Sequence, residues 1–339
     1  MVKLGRVKSV SIDIDVILPT HQNTNYLTDS VNSILMSEGV EVRLIIVDDR
    51  ADQSLKLDIP DSQKILLVST GGNTGYNNAI QVGLNEAKSN FIAFQDSDDI
   101  SDPRRLRREV DSLILEDAEI AYCKMQIIDN SGKKLFHYLQ NVVEPSYFGY
   151  SLLFGSYGAN STWVIRREAF KKISFTRIEK SYDWAIGLKS LVGLRVVYVH
   201  DSLYFYRKHK NQMTQATDYQ DRSLLEIYPL WSELNEKLGL PHLELADFES
   251  LVNPWKKSEL TPKSFEWLVQ FRNRTKKLRK TELVFYRLMY LRIFMKCGFF
   301  SRFKLLIEFP GFMYLASLRL FMSFIRYVGK REMSRFSAN

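Results

Sequence analysis

The chain has 339 residues, which is enough for one large domain and a smaller one. Its two cysteines, Cys123 and Cys297, lie far apart in apolar surroundings, which excludes a fold held together by a disulfide framework. Residues 1–15 lack the apolar stretch of a cleavable signal peptide, so we expect a cytoplasmic location. The net charge of +8 is unevenly distributed, and its excess lies near the end of the chain.

The first hundred residues alternate between short apolar runs and stretches of helical periodicity. The pattern predicts strands at 15–18, 42–47, 64–68 and 91–94, and helices near 27–36 and 77–87. Strands that alternate with helices form a mostly parallel sheet with helices on both faces. We therefore predict an α/β fold of Rossmann-like type in this part of the chain.

Polar or glycine-rich segments follow each predicted strand. They are Pro19-Thr20-His21, Asp48-Asp49, Gly71 to Gly75 and Asp96 to Asp99. Parallel sheets bind ligands outside the carboxyl ends of their strands, so these segments should meet in one crevice. The glycine segment lacks the Gly-Lys-Ser/Thr ending of a P-loop, so we interpret it as a loop that shapes the crevice rather than as a phosphate cradle.

The acidic segment Gln95-Asp96-Ser97-Asp98-Asp99 points most directly to chemistry. Neighbouring carboxylates raise each other's pKa unless a cation offsets their charge. Ligand sets made of oxygen suit Mg²⁺ or Mn²⁺, and these cations in turn suit a diphosphate. For an isolated Asp-x-Asp the alternative is a solvated acidic turn, and the surrounding segments favour the metal interpretation.

Several segments occur in the order and spacing of one known family. They are Val16-Ile17-Leu18-Pro19-Thr20, Val47-Asp48-Asp49, Asn73-x-Gly75, Phe94-x-Asp96-Ser97-Asp98-Asp99, Pro103-x-Arg105-Leu106, Arg166 to Phe170, Tyr182-Asp183-Trp184 and Tyr206 to His209. Over about residues 13–215 the chain resembles the family 2 glycosyltransferases of bacterial surface-polysaccharide type. The resemblance implies a GT-A fold and an inverting transfer from a nucleotide sugar.

The resemblance also implies binding roles. The donor-binding residues would be Pro19, Thr20, His21, Asp49, Asn73, Gly75, Asp96 and Arg105. Among them, Asp49 would hydrogen-bond the pyrimidine, and Asp96 would lie near the ribose and a metal-bound water. Asp98 would be the main ligand of Mn²⁺ or Mg²⁺, with Asp96 beside it, and His209 is either a further ligand or a loop residue. The donor would be a UDP- or dTDP-sugar.

The catalytic base implied by the resemblance is Asp183. The family's usual Glu before the base is Tyr182 here, and the acidic residue two positions after it is Ala185. These departures leave open a non-catalytic scaffold that binds nucleotides or carbohydrates. A sugar nucleotidyltransferase is a further alternative, because it would share the sheet and the metal.

We predict two domains. Residues 1–220 form the GT-A catalytic domain, with a nucleotide-sugar half at about 13–105 and an acceptor half at about 106–220. Residues 221–339 form a helical C-terminal region that is basic and aromatic from residue 272. Residues 271–339 contain sixteen Lys or Arg and three Glu, so the rest of the chain is net acidic.

The basic, aromatic region 272–339 favours the cytoplasmic membrane surface over nucleic acid, because no nucleic-acid-binding module accompanies it. Glu308, Arg319 and Arg326 interrupt its apolar stretch, which argues against a membrane-spanning helix. A helical bundle and a homo-oligomer formed through these helices are the alternatives. The expected partners are therefore a nucleotide sugar, a glycan or lipid-linked acceptor and the inner face of the membrane.

Overall fold

The computed structural model describes residues 11–21, 25–50, 59–135, 159–172, 184–185, 187–188, 194–210, 212, 219–252 and 259–275. The chain divides into two compact units, Met1–Leu234 and Asn235–Asn339. The predicted boundary near residue 220 and the division into donor and acceptor halves stay predictions.

The described part of the first unit contains one eight-stranded sheet. Its strands are β1 (Asp13–Thr20), β2 (Glu41–Asp48), β3 (Ile65–Ser69), β4 (Phe91–Phe94), β5 (Ile100–Ser101), β6 (Ile120–Ile128), β7 (Trp163–Arg166) and β8 (Val196–Arg207). Its helices are α1 (Asn25–Leu35), α2 (Tyr76–Glu86), α3 (Arg105–Leu115) and α4 (Arg167–Lys172), and a 3₁₀ turn, Asn160–Thr162, precedes β7.

The strand order is β3-β2-β1-β4-β7-β6-β8-β5. Strands β3, β2, β1 and β4 are mutually parallel, as predicted for this part of the chain. Beyond them the sheet is mixed, since β7 runs antiparallel to both of its neighbours and β5 runs antiparallel to β8. The parallel half places the ends of β1, β2, β3 and β4 along one edge, where the predicted crevice lies.

Helices cover both faces of the parallel half, which confirms the predicted α/β fold. Successive strand residues point to opposite faces, and on β1 both sets are apolar. One face packs Ile14, Val16 and Leu18 with α1 and α3 in a single core. On the other face α2 approaches so closely that a Cβ on Gly83 would lie 2.5 Å from Ile17 Cγ2. Glycine is therefore required there for space.

The regular elements that the structure describes after β8 are helices, as predicted. Helix α5 (Tyr219–Lys237) is followed by α6 (Leu245–Val252) and α7 (Pro262–Thr275). In the second unit the Trp267 and Phe271 rings stack at 5.1 Å, and Trp267 Nε1 donates a 2.6 Å hydrogen bond to Asn235 Oδ1. The predicted basic and aromatic region begins at residue 272, and its part after Thr275 lies outside the described residues.

Candidate active site

The acidic segment directly follows β4, and its carboxylates have separate environments. Asp99 is completely buried, and its oxygens accept hydrogen bonds from Tyr204 Oη (2.8 Å) and Arg207 N (2.7 Å). Burial, together with the charges of Asp98 and Asp96, raises the pKa of Asp99 well above its ordinary value. Asp96 and Asp98 keep partial solvent access. Asp99 therefore supports the turn from inside the core, whereas Asp96 and Asp98 lie at its surface.

The structure brings together two of the predicted metal ligands. His209 Nε2 lies 2.7 Å from Asp98 Oδ2, and the exposed fractions of these side chains are 12% and 27%. The sequence left His209 as either a further metal ligand or a loop residue. In the structure β8 ends at Arg207, and His209 follows two residues later. The end of β8 therefore places His209 next to the acidic segment.

The donor set at this edge fits a divalent cation. A carboxylate oxygen and an imidazole nitrogen in contact are both ligands that Mn²⁺ accepts. Asp96 lies two residues away, and its Oδ1 accepts a hydrogen bond from Tyr76 Oη at 3.2 Å. Within the described ranges, no group of three His, Cys, Asp or Glu side chains is arranged to hold a metal ion. The three-ligand set Asp96, Asp98 and His209 stays a prediction.

Arg207 connects the acidic segment to helix α1. Its backbone nitrogen binds Asp99, and its Nε donates to the carbonyl of Asp98 at 2.9 Å. Its guanidinium lies 4.5 Å from the centre of the Tyr26 ring, which is itself 5.2 Å from the His209 ring. These contacts hold both ends of the Asp98–His209 pair. The sequence named Arg207 only as part of the segment that contains His209.

Asp49 organises the glycine segment that follows β3. Its Oδ1 accepts hydrogen bonds from Thr70 Oγ1 (2.6 Å), Thr74 N (2.8 Å) and Thr74 Oγ1 (2.7 Å), and its Oδ2 accepts one from Gly75 N (2.9 Å). Burial opposes ionisation, but the bonds from Thr70, Thr74 and Gly75 keep the pKa of Asp49 below its ordinary value. The carboxylate thus fixes the loop, and its predicted contact with a pyrimidine stays a prediction.

The loop backbone explains why glycine and asparagine occur there. Gly75 has φ of 94° and Asn73 has φ of 51°, in the left-handed region that glycine and asparagine adopt most readily. A Cβ on Gly75 would meet no atom within 4 Å, so its conformation rather than space requires glycine. Asn73 N donates to the carbonyl of Asp49 at 2.8 Å, which closes the loop against the end of β2.

The end of β1 meets the end of β2. Thr20 pairs with Asp48 in the parallel ladder, and its carbonyl accepts a hydrogen bond from Asp49 N at 2.8 Å. Pro19 and Thr20 are buried and His21 is exposed. Pro19 and Thr20 are the last residues of β1, and His21 follows them directly. Their contacts with a nucleotide stay predictions.

Arg105 was predicted to bind the donor, but its side chain lies in the core. It is completely buried, and its guanidinium donates to the carbonyls of Phe94 (3.0 Å) and Ser161 (2.6 Å). The guanidinium also lies 5.1 Å from the centre of the Tyr204 ring. In this structure Arg105 ties the end of β4 to the 3₁₀ turn. It therefore supports the crevice from inside the core.

Asp183 lies outside the described residues, as does Tyr182. The next two residues, Trp184 and Ala185, are described and buried. The position of the implied base relative to the acidic segment is therefore not part of this geometry, and its role stays a prediction.

Comparisons with known proteins agree on the class of this fold. Residues 15–174 match the family model described as Glycosyl transferase family 2. The crystal structure of S. aureus TarS 1–349 in complex with UDP-GlcNAc has a TM-score of 0.52, at 17% identity, covering 85% of this chain and 82% of that chain. At this level of identity, the likeness shows that the two proteins share a fold.

Relatives extend the match over more of the chain. An uncharacterized glycosyltransferase of Rickettsia typhi is 24% identical over 66% of this chain and 72% of its own length. The Escherichia coli UDP-Glc:alpha-D-GlcNAc-diphosphoundecaprenol beta-1,3-glucosyltransferase WfgD is 25% identical, over 52% and 70%. The succinoglycan biosynthesis protein ExoO of Rhizobium meliloti is 29% identical over 36% of each chain. Residues 15–174 therefore form a family 2 glycosyltransferase region, and the chain has a GT-A-like α/β fold.

Proposed function

We propose that this glycosyltransferase transfers a sugar, with inversion, from a UDP- or dTDP-sugar to a glycan or a lipid-linked saccharide during surface polysaccharide biosynthesis. The names of WfgD and ExoO support this acceptor class, and the TarS complex with UDP-GlcNAc supports a nucleotide-sugar donor. The observation that carries the proposal is the contact of Asp98 with His209 beside Asp96, at the same sheet edge as the loop held by Asp49.

Asp98 and His209 would hold a divalent cation, with Asp96 next to them. When bound, such a cation offsets the negative charge of the leaving diphosphate. The chain itself supplies the remaining conditions. Arg207 and Tyr26 keep His209 on Asp98, and Asp49 holds the glycine segment beside the strand ends.

In the transfer that we propose, the acceptor hydroxyl oxygen forms a bond to the anomeric carbon of the donor. The bond between that carbon and the diphosphate oxygen breaks, and the diphosphate leaves with the electron pair. Asp183 takes the proton of the acceptor hydroxyl, as a general base. Attack from the face opposite the leaving group inverts the anomeric configuration.

We also propose that the region 272–339 binds the inner face of the cytoplasmic membrane, where a lipid-linked acceptor would be found. Clustered Lys and Arg attract anionic lipid, and aromatic side chains insert at the interface. The support is the composition of this region, which carries the entire basic excess of the chain. Among the helices that the structure describes, none has the length and apolar character needed to span a bilayer.

A thermal-shift screen of nucleotide sugars tests the donor site. A ligand that binds only the native state raises the melting temperature. We expect a UDP- or dTDP-sugar to stabilise the wild-type chain in the presence of Mn²⁺, and we expect Asp98→Ala to lose this Mn²⁺-dependent shift. Asp111→Ala is the matched control, because Asp111 is an exposed carboxylate paired with Arg107 on α3. An equal shift in the Asp98→Ala variant would contradict the assignment.

A further inference from the structure

Three side chains from separate elements form a hydrogen-bonded chain that ends on Asp96. Asn160 Nδ2, in the 3₁₀ turn, lies 2.9 Å from Tyr76 Oη. Tyr76 is the first residue of α2, and its Oη lies 3.2 Å from Asp96 Oδ1. Neither Tyr76 nor Asn160 carries a role in the sequence motifs of the family described above. Tyr76 lies 20 residues before Asp96 along the chain, and Asn160 lies on the far side of it in sequence.

The chemistry of the three groups sets the direction of the chain. The amide nitrogen of Asn160 can only donate, so it uses the phenol oxygen of Tyr76 as its acceptor. The Tyr76 hydroxyl hydrogen then points to the Asp96 carboxylate, which is an acceptor when ionised. A hydrogen bond to a carboxylate is stronger than one between neutral groups. The pair Tyr76 and Asn160 therefore presents one aligned donor to Asp96.

Asn160, the first donor of this hydrogen-bonded series, is rigidly attached to the strand before the acidic segment. Asn160 is buried, and the carbonyl of the next residue, Ser161, accepts a 2.6 Å hydrogen bond from Arg105. The same guanidinium binds the carbonyl of Phe94, the last residue of β4. A fixed distance thus separates Asn160 from the strand that leads into Asp96.

The backbone of Asp96 is held independently of its side chain. Its nitrogen donates to Tyr204 Oη at 3.2 Å, and its carbonyl accepts a 2.8 Å hydrogen bond from Ser30 Oγ. With the backbone held, the side-chain rotamer is the main freedom that remains to the residue. The Tyr76 hydroxyl acts on that rotamer, since it contacts a carboxylate oxygen.

We propose that Tyr76 and Asn160 are positioning residues that hold the Asp96 carboxylate in the orientation required by the nucleoside diphosphate part of the donor. This inference rests on the proposed function, because it takes Asp96 as part of the donor site. It adds two residues that determine donor affinity without contacting the reacting atoms. It also explains why a half-buried tyrosine begins α2 directly after the glycine segment.

The test is titration calorimetry of UDP and of dTDP, with Mn²⁺, on the full chain. Tyr76→Phe removes one hydroxyl and keeps the ring, and we expect it to weaken binding by about tenfold. Asn160→Ala should weaken binding to a similar extent, and it carries the test by itself if Tyr76→Phe fails to fold. Tyr198→Phe is the matched control, because Tyr198 pairs with Tyr122 far along β8 from the acidic segment.

A double-mutant cycle separates positioning from a general structural effect. In an Asp96→Asn background the additional change Tyr76→Phe should have an effect of less than about twofold, because the carboxylate through which it acts is gone. Losses that multiply in the double variant, or a Tyr76→Phe affinity equal to that of the wild type, would overturn the inference alone. A wild-type chain that binds neither nucleotide would overturn the proposed function, and this inference with it.

Discussion

Glu109 predicts a pH-dependent stability that a single substitution should remove. This side chain is completely buried on α3, and Arg105 Nε lies 3.7 Å from its Oε2, beyond hydrogen-bonding distance. Burial raises the pKa of Glu109 from 4.5 to about 8, although the charge of Arg105 and the Cys123 thiol both oppose the rise. Near neutral pH the Glu109 carboxyl is therefore protonated in the folded chain and ionised in the unfolded chain.

The sign and size of the effect follow from linkage. A carboxyl group whose pKa is raised by folding contributes its full stability below the unfolded pKa, and loses it as the pH rises through the folded pKa. Each pH unit within this window costs about 1.4 kcal/mol of unfolding free energy. Between about pH 5 and about pH 7.5 the wild type should lose about 3 kcal/mol through Glu109. In a domain of this size that loss lowers the melting temperature by roughly 10 °C.

Glu109→Gln keeps the shape of the side chain and removes the ionisable carboxyl group. The assay is thermal unfolding of both proteins across this pH range, with the difference between their melting temperatures as the readout. The variant should gain stability relative to the wild type as the pH rises. Glu116→Gln, at an exposed position just after α3, is the control and should follow the wild type. Parallel curves for the wild type and Glu109→Gln would refute the reasoning.

Further measurements address the loop, the base and the tail. Asp49→Asn should weaken nucleoside diphosphate binding by about tenfold or more, because an amide cannot accept all of the loop hydrogen bonds, whereas the exposed control Asp61→Asn should not. Asp183→Asn should lower turnover by about 10²- to 10⁴-fold with little change in donor affinity, and near-normal turnover would move the base to another residue. Vesicle co-sedimentation of the chain should require anionic lipid and weaken with salt without vanishing. Replacing the four basic residues of 276–280 with Gln should cost about 1 kcal/mol each, and unchanged binding would favour the bundle or oligomer alternatives.

The parallel half of the sheet was predictable because its signals are local. Strands such as Val42 to Val47 are apolar at nearly every position, which is typical of strands buried on both faces. The predicted helices near 27–36 and 77–87 agree with α1 (Asn25–Leu35) and α2 (Tyr76–Glu86) to within about two residues. The predicted strand ends also indicate that the polar segments lie at one edge of the sheet.

The mixed half could not be predicted in the same way. Strand β5 has two residues, Ile100–Ser101, and it pairs with Phe205 and Tyr204 on β8. A pairing between segments so distant along the chain leaves no periodicity in the sequence. The insertion of β7 between β4 and β6 is likewise decided by tertiary packing.

Arg105 and Glu109 show how an ordinary pattern can mislead. An Arg and a Glu four residues apart on a helix with further arginines are typical of a solvated surface pair. Here both side chains are completely buried, whereas Arg104 and Arg108 of the same run are exposed. The contacts that decide this, with the carbonyls of Phe94 and Ser161, are made by the backbone. Side-chain identity gives no signal of them.

The measurement that tests the central claim most directly is the release of nucleoside diphosphate from a nucleotide sugar in the presence of Mn²⁺ and an undecaprenyl-diphosphate-linked saccharide. The proposed transfer predicts that UDP or dTDP appears with the glycosylated lipid, depends on the acceptor, and is lost in Asp98→Ala. In a parallel reaction with a nucleoside triphosphate and a sugar 1-phosphate, release of pyrophosphate would instead identify a nucleotidyltransferase. Tight donor binding without any diphosphate release, across a full panel of donors and acceptors, would contradict a catalytic role for this chain.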